Sequence, residues 1–368
     1  MITFLKFPSV VQEMILKTMD IQDVFLFSFC SQKSKSLIRS FRWKVSGTTF
    51  WLFDLDDRFC ITLGGRTREE LVTNISFQPP TKKAKKTLKV TSVRIRDPPI
   101  KCSLSFEIYS EPTLWFMKGC ELYLPKLLHS YICDLFRVCT DYQITIDLNK
   151  HSVRSYGMKS VKNVWLLGRF IAKRNKRRES PIEKFFKKCH VSNCARVSDA
   201  ILFNNFKPNT GILSIDNLFL ERSGFLKGEI LQNFIGINLA LFSANFEMSC
   251  YSAFLTKWLT GGNTKIRSII VESRVDIDAG LVLEQLDTIK WDPLRRLSHF
   301  PYKPAMIDFM KGYPRSFDCS EGFDIIRKSD GMLATVVLEE RRFCFFVWDG
   351  TKEPTIYEDS GETRRRFR

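Results

Sequence analysis

The most constraining stretch of this chain is its first forty residues, where Phe7-Pro8 opens two closely spaced apolar periodic segments that end in Cys30-Ser31-Gln32-Lys33 and a basic run. Pro8 sits where a missing N–H costs nothing, and Val10, Val11, Met14, Ile15 and Met19 follow at helical spacing. Asp20 is placed to cap a second helix carrying Val24, Phe25, Phe27 and Phe29, and Ser31 is placed to cap a third. Three short helices fit. So small a piece buries too little surface to be stable alone, and it is expected to need a partner.

In ungapped register this stretch resembles the F-box, the adaptor-binding motif of ubiquitin-ligase receptors. Phe7-Pro8 falls on the motif's Leu-Pro start, and Ile15 and Met19 fall on its first-helix apolar positions. Asp20, Asp23, Val24, Phe25, Cys30, Lys33 and Leu37 continue the match; Phe7 stands for the usual Leu, and Ser34 stands where many members carry a large residue. The resemblance implies a SKP-family adaptor and a cullin complex as partners, with Phe7, Pro8, Val11, Ile15, Met19, Val24 and Phe25 as adaptor-binding residues. The same periodicity also fits an ordinary helical hairpin.

The 368 residues allow about two or three domains, and 57 basic against 40 acidic side chains give a net charge of +17. Such a balance suits nucleic acid, anionic membrane or acidic protein partners. Much of the excess sits in Lys82-Lys83-Ala84-Lys85-Lys86, Lys173-Arg174-Asn175-Lys176-Arg177-Arg178 and Arg364-Arg365-Arg366-Phe367-Arg368. These runs read as solvated loops and a tail, as nuclear-import signals, or as phosphate contacts; without interleaved aromatics the solvated reading leads for nucleic acid. The 11 cysteines are scattered and several lie in apolar strings, as Cys344 does between Phe343 and Phe345, which points to a reducing compartment. No signal-peptide pattern follows Met1, and no run approaches the ~18 apolar residues of a membrane span, so the chain is expected to be intracellular, cytoplasmic or nuclear, with no membrane partner.

Beyond the first module the pattern changes. Thr49-Phe50-Trp51-Leu52-Phe53, Cys60-Ile61-Thr62-Leu63, Leu88 to Val93 and Leu104 to Ile108 read as strands. A helix is expected from Leu124 to Val138, strands at Gln143 to Leu148 and Val161 to Leu167, and a helix at Ile182 to Cys189. Further strands are expected near Ala200-Ile201-Leu202-Phe203, Ile212 to Ile215, Asn238 to Phe242 and Ile266 to Val271. Helices alternating with strands imply α/β packing with parallel pairing. The last three strands begin 26 and 28 residues apart, near the spacing of leucine-rich repeats, although the Leu/Asn signature is degenerate and a plain α/β domain stays open. Phe323 to Arg327 and Leu333 to Leu338 flank Ser329-Asp330-Gly331, a tight-reversal signal, and Phe343 to Trp348 adds a third strand. Pairing of this meander with the early β-rich stretch is one arrangement the pattern allows.

The expected fold class is therefore mixed α+β and α/β: a three-helix F-box over 1–45, a β-rich segment over 46–115, a leucine-rich-repeat-like α/β region over 116–300, a β-meander over 301–350 and a basic tail over 351–368. Residues 206–272 resemble the F-box-associated domain of a large nematode-expanded set of F-box proteins, through Phe254-Leu255-Thr256-Lys257-Trp258-Leu259-Thr260-Gly261-Gly262-Asn263 and Leu213 to Leu220. Glu284 to Pro293 and Ser316 to Ile325 are similar to the C-terminal part of the same proteins. In physical terms, Phe254, Leu255 and Trp258 recur on one helix face and Gly261 supplies the stop, so the motif reads as core.

Catalytic signals are missing. There is no phosphate-binding glycine loop, nucleophile elbow or metalloprotease helix, and the imidazoles are limited to His129, His151, His190 and His299. Cys189-His190 with Cys194 mimics half a zinc site, but no matching pair follows at finger spacing. Asp54, Asp56 and Asp57 read as a turn cluster, and most of the 32 Phe fall at core periodicity, leaving Trp115 and Tyr302 as nameable surface anchors. No catalytic residue, cofactor or metal is expected. The resemblance implies the substrate-recognition subunit of a cullin-type ubiquitin ligase, holding an unknown protein target through its C-terminal region; a basic nucleic-acid or chromatin-binding scaffold is the alternative.

Overall fold

A computed structural model gives the architecture. It describes residues 4–43, 49–55, 58–64, 69–76, 89–93, 95, 100–105, 112–117, 119–120, 123–137, 141–147, 158–167, 181–198, 210–224, 226–301 and 316–348. The three basic runs, Asp56, Asp57, the strand expected at Ala200 to Phe203, Tyr302 and the polar tail lie outside the described residues.

Behind a turn of 3-10 helix at Phe4–Lys6 come α1 (Ser9–Thr18), α2 (Ile21–Phe27) and α3 (Gln32–Ser40). Pro8 holds the extended backbone ahead of α1, and the buried Gln12 amide donates to Phe7 O at 2.9 Å, closing the entry turn. Ser31 Oγ accepts from Ser34 N–H at 3.0 Å and caps α3; Asp20 takes the cap backbone of α2 without a side-chain cap bond. Leu16, Val24, Phe25 and Ile38 turn inward and are fully buried.

The first strands are β1 (Thr49–Leu55), β2 (Arg58–Gly64) and β3 (Glu69–Ser76), an antiparallel meander. It is extended by β4 (Lys89–Val93), β5 (Ile100–Ser105) and β6 (Thr113–Phe116), with β6 parallel to β3. Then α4 (Leu124–Phe136) carries the chain to β7 (Asp141–Asp147), which lies parallel beside β1. From here the strands are laid down in sequence order: β8 (Ser160–Leu167), α5 (Pro181–Lys188), β9 (His190–Val197), a 3-10 turn at Gly211–Ser214, β10 (Asn217–Leu220), α6 (Glu229–Asn233), β11 (Asn238–Ala244), α7 (Met248–Leu259) and β12 (Ser268–Ser273). Each of β7 to β12 is hydrogen-bonded in parallel to the next. The chain closes with α8 (Ala279–Leu283), β13 (Ile289–Lys290), β14 (His299–Pro301), β15 (Ser316–Asp318), β16 (Phe323–Ile326), β17 (Leu333–Glu339) and β18 (Arg342–Val347). Among the described residues, all strands but β14 and β15 form one sheet, and those two pair with each other.

Register gives the two faces of the parallel layer different chemistry. Ile144, Val164, Ala195, Leu218, Leu239 and Ile269 lie side by side, buried against the helices in one core with α4, α5 and α7. On the other face runs an amide ladder. Asn193 Nδ2 donates to Asn163 Oδ1 at 2.7 Å, Asn217 Nδ2 to Asn193 Oδ1 at 2.9 Å, and Asn238 Nδ2 to Asn217 Oδ1 at 2.7 Å; Ser268 Oγ then donates to Asn238 Oδ1 at 2.9 Å. Asn193, Asn217 and Asn238 thus each accept from one neighbour and donate to the other, which satisfies buried polar groups and fixes the register. The β14–β15 pair covers the same face further on, with Phe317 and Cys319 packed on Phe219, Ile270 and Phe346.

Three expectations need correction. Ile212 to Ile215 is not a strand: it holds the 3-10 turn and its end, with Ile212, Leu213 and Ile215 buried, because a short apolar run satisfies a packed turn as well as a strand. The strand that follows begins at Asn217, so the repeat spacing expected from Ile212 does not hold. The meander of β16 to β18 joins the sheet through β12, antiparallel, rather than through the early β-rich stretch.

Candidate protein-docking surface

A helix face that the fold leaves uncovered stands out at the N-terminus. Gln12 and Leu16 turn α1 inward, and the helical period therefore sends Val10, Val11, Met14 and Ile15 outward. Val10 is 66% and Met14 65% exposed, and Leu5, Phe7, Val11 and Ile15 are exposed beside them. Pro8 is exposed in the same run. A contiguous apolar patch of this kind marks a contact surface rather than a solvated face.

Not all the expected adaptor-binding residues share it. Phe7, Pro8, Val11 and Ile15 lie on the patch, and Met19 is half-buried against the core. Val24 and Phe25 are fully buried, with the Phe25 ring edge-on to Tyr131 of α4 at 6.1 Å. In this fold they pack the module against α4 and take no part in the open patch. Val10 and Met14, apolar positions of the same helical pattern, stand outside the adaptor-binding set that the resemblance implies, although the i, i+3, i+4 spacing around Phe7 and Val11 places them on this face.

The inward side of the module docks on α4. Phe29 stacks on Tyr131 at 5.2 Å, Lys35 Nζ sits 4.2 Å over the same ring, and Trp43 meets Phe136 edge-on at 5.5 Å. Asp134 takes Arg39 at 2.8 Å and Lys35 at 3.7 Å. Leu16, Val24, Phe25 and Ile38 consequently belong to one core with Leu128, Ile132 and the strands. The partner that so small a module needs is supplied within the chain.

Comparison with known proteins agrees with the patch: residues 4–46 match the F-box domain. This stretch is an F-box. F-box domains bind a SKP-family adaptor in SCF complexes, the ligases built on a cullin. The chain is also 30% identical over 141 residues to the uncharacterized protein F59B2.9 of Caenorhabditis elegans, a match covering 37% of this chain and 31% of that protein. The chain thus spans about a third of this relative's length. No solved structure matches.

Elsewhere the described residues bring together no group of three or more His, Cys, Asp or Glu able to hold a metal. Cys189, just before β9, and Cys194 within it are buried while His190 is exposed, so the half-site of the sequence is spread over inward and outward positions. Burial pushes the Cys189 thiol up to about 11 and keeps that of Cys194 well above its ordinary value, so both pack as small apolar groups. Trp115 is half-buried on β6. No helix among the described residues is long and apolar enough to cross a membrane.

Proposed function

We propose that this protein is the substrate-recognition subunit of a cullin-type SCF ubiquitin ligase, binding a SKP-family adaptor through its F-box and a protein target through the sheet region. The observation that carries the reading is the matched F-box whose inner face is built into the core while its outer face, Phe7, Val10, Val11, Met14 and Ile15, stays apolar and open. On this reading the chain works inside the cell, in cytoplasm or nucleus, and does no chemistry. It raises the effective concentration of target lysines near the ligase's ubiquitin carrier. The sequential parallel strands and the amide ladder from Asn163 to Ser268 support a leucine-rich-repeat-like reading of the middle region, and the motif from Phe254 to Asn263 supports kinship with F-box-associated domains.

Capture of purified adaptor by the full chain tests the reading. The wild-type chain retains adaptor through washes at raised salt, since the contact is apolar, and the double variant Val10→Asp/Met14→Asp loses it because a desolvated carboxylate costs several kcal/mol. Equal capture by both proteins would overturn the assignment of this face.

A further inference from the structure

The stretch from Lys159 to His190 carries eleven basic and two acidic residues, so more than half of the chain's net charge of +17 falls in less than a tenth of its length. The fold brings part of that charge to one corner. Ser160 on β8 pairs with His190 on β9, and His190 N–H donates to Lys159 O at 2.9 Å. α5 ends two residues before His190, with Lys184 and Lys188 one turn apart on the same helix face. Ile182, Phe185 and Phe186 are buried on the opposite face, while Lys159, Lys184, Lys188 and His190 are exposed.

Folding alone does not account for this arrangement. Cations in the last turn of α5 are favoured by the helix dipole, which explains Lys187 and Lys188; Lys184 and Lys159 lie outside that effect, and like charges one turn apart repel. Among the described residues the corner exposes no Phe, Tyr or Trp, since both α5 rings are buried in the core. Single-stranded nucleic acid is held by a succession of stacked bases as well as by charge, so a surface of ammonium groups whose one exposed ring is the His190 imidazole fits carboxylates better. α4 and α5 pack into the same core on one side of the sheet, the side that carries the F-box. We infer that Lys159, Lys184, Lys188 and His190 form the docking site for a carboxylate-rich segment of the target protein. The inference rests on the receptor reading above and adds the chemistry of the target to it.

The test uses the full chain, a fluorescent Glu-rich peptide, a single-stranded oligonucleotide, and adaptor capture on the same preparations. Lys159→Glu/Lys184→Glu/Lys188→Glu weakens peptide binding by about tenfold or more while adaptor capture is unchanged. A control of equal total charge, Lys227→Glu/Lys265→Glu/Lys290→Glu, changes exposed lysines elsewhere and shifts peptide binding less than about twofold. The neutral triple change to Gln, with its smaller electrostatic disturbance, gives an intermediate loss. Equal losses in the corner and control variants, or no peptide binding by the wild-type chain, overturn the inference. An oligonucleotide that binds more tightly than the peptide and is lost with the corner variant overturns it in favour of nucleic acid. Failure of the wild-type chain to capture adaptor is a separate result, and it overturns the receptor reading whatever the peptide does.

Discussion

The Tyr131 hydroxyl lies 2.9 Å from Ser28 Oγ, a buried hydrogen bond that ties α4 to the F-box. Ser28 Oγ is also hydrogen-bonded to Phe25 O, so removing the phenol oxygen leaves no orphaned donor on the serine. Tyr131→Phe is therefore expected to cost about 1 kcal/mol, and Tyr131→Ala roughly 3–5 kcal/mol through the cavity it leaves under Phe25 and Phe29. Chemical denaturation should show one transition in each variant, because F-box and sheet share a core. Two separated transitions would contradict the shared core.

The same phenol predicts a pH dependence. Burial is the main cause that pushes the Tyr131 pKa up from 10.0 to about 12, against the lowering hydrogen bond from Ser28; burial likewise raises Tyr251 to about 12. Below pH 10 both states keep the proton and the packing stability is present in full. As pH rises from about 10 to about 12 the unfolded chain loses protons that the folded chain retains, so stability falls through that window. Tyr131→Phe/Tyr251→Phe removes two such groups, and its stability, followed by denaturation at stepped pH, should decline less steeply there than that of the wild type. Parallel declines would show that neither phenol is protected.

Opposite outcomes are expected on the two sides of the F-box helices. Met14→Asp sits on the open patch and should leave the melting temperature almost unchanged while weakening adaptor capture. Val24→Asp buries a carboxylate in the shared core and should unfold the chain at 37 °C or lower its melting temperature by more than about 5 °C. Thermal melts paired with capture assays separate the cases.

How much of this was legible in the sequence depended on whether the deciding contact was local. Pro8, Ser31 and the spacing of Val10, Val11, Met14 and Ile15 act within one or two turns, and the three F-box helices follow from them. That Phe25 packs on Tyr131 and Val24 lies buried in the same core is set by α4, a hundred residues downstream, and helical periodicity cannot say which of two apolar faces is covered. β9 was missed because His190, Ser192, Asn193 and Cys194 make it look polar. Its Asn193 is paid for by the amide ladder, a partnership visible only once β8 and β10 flank it. The reversal at Asp330-Gly331 was readable from the pair alone, since Gly331 takes φ +70° there. The corner of Lys159, Lys188 and His190 is not legible in the sequence, because its residues come from the residue before β8, from α5 and from β9, while the densest basic run lies at Lys173 to Arg178.

The last prediction concerns the ion pair that fastens the segment before β14 to the meander. Arg296 Nε donates to Asp324 at 2.9 Å, and both side chains are almost completely buried. Arg296 also reaches Leu297 O at 2.9 Å and Cys319 O at 2.8 Å, Thr335 Oγ1 donates to Asp324 at 2.7 Å, and Trp348 Nε1 donates to Thr335 Oγ1 at 2.8 Å. Asp324→Ala strands a guanidinium charge in this site, and Arg296→Met strands a carboxylate, so each should destabilise by about 3–5 kcal/mol. The double variant Arg296→Met/Asp324→Ala leaves no uncompensated charge and should cost well below the sum of the two singles, although the carbonyls of Leu297 and Cys319 still lose their donor. A double-mutant cycle read by denaturant unfolding gives the coupling directly. Additive losses would mean that Arg296 and Asp324 act independently, and would remove the pair as the anchor that holds Phe300 and Phe317 over the far face of the sheet.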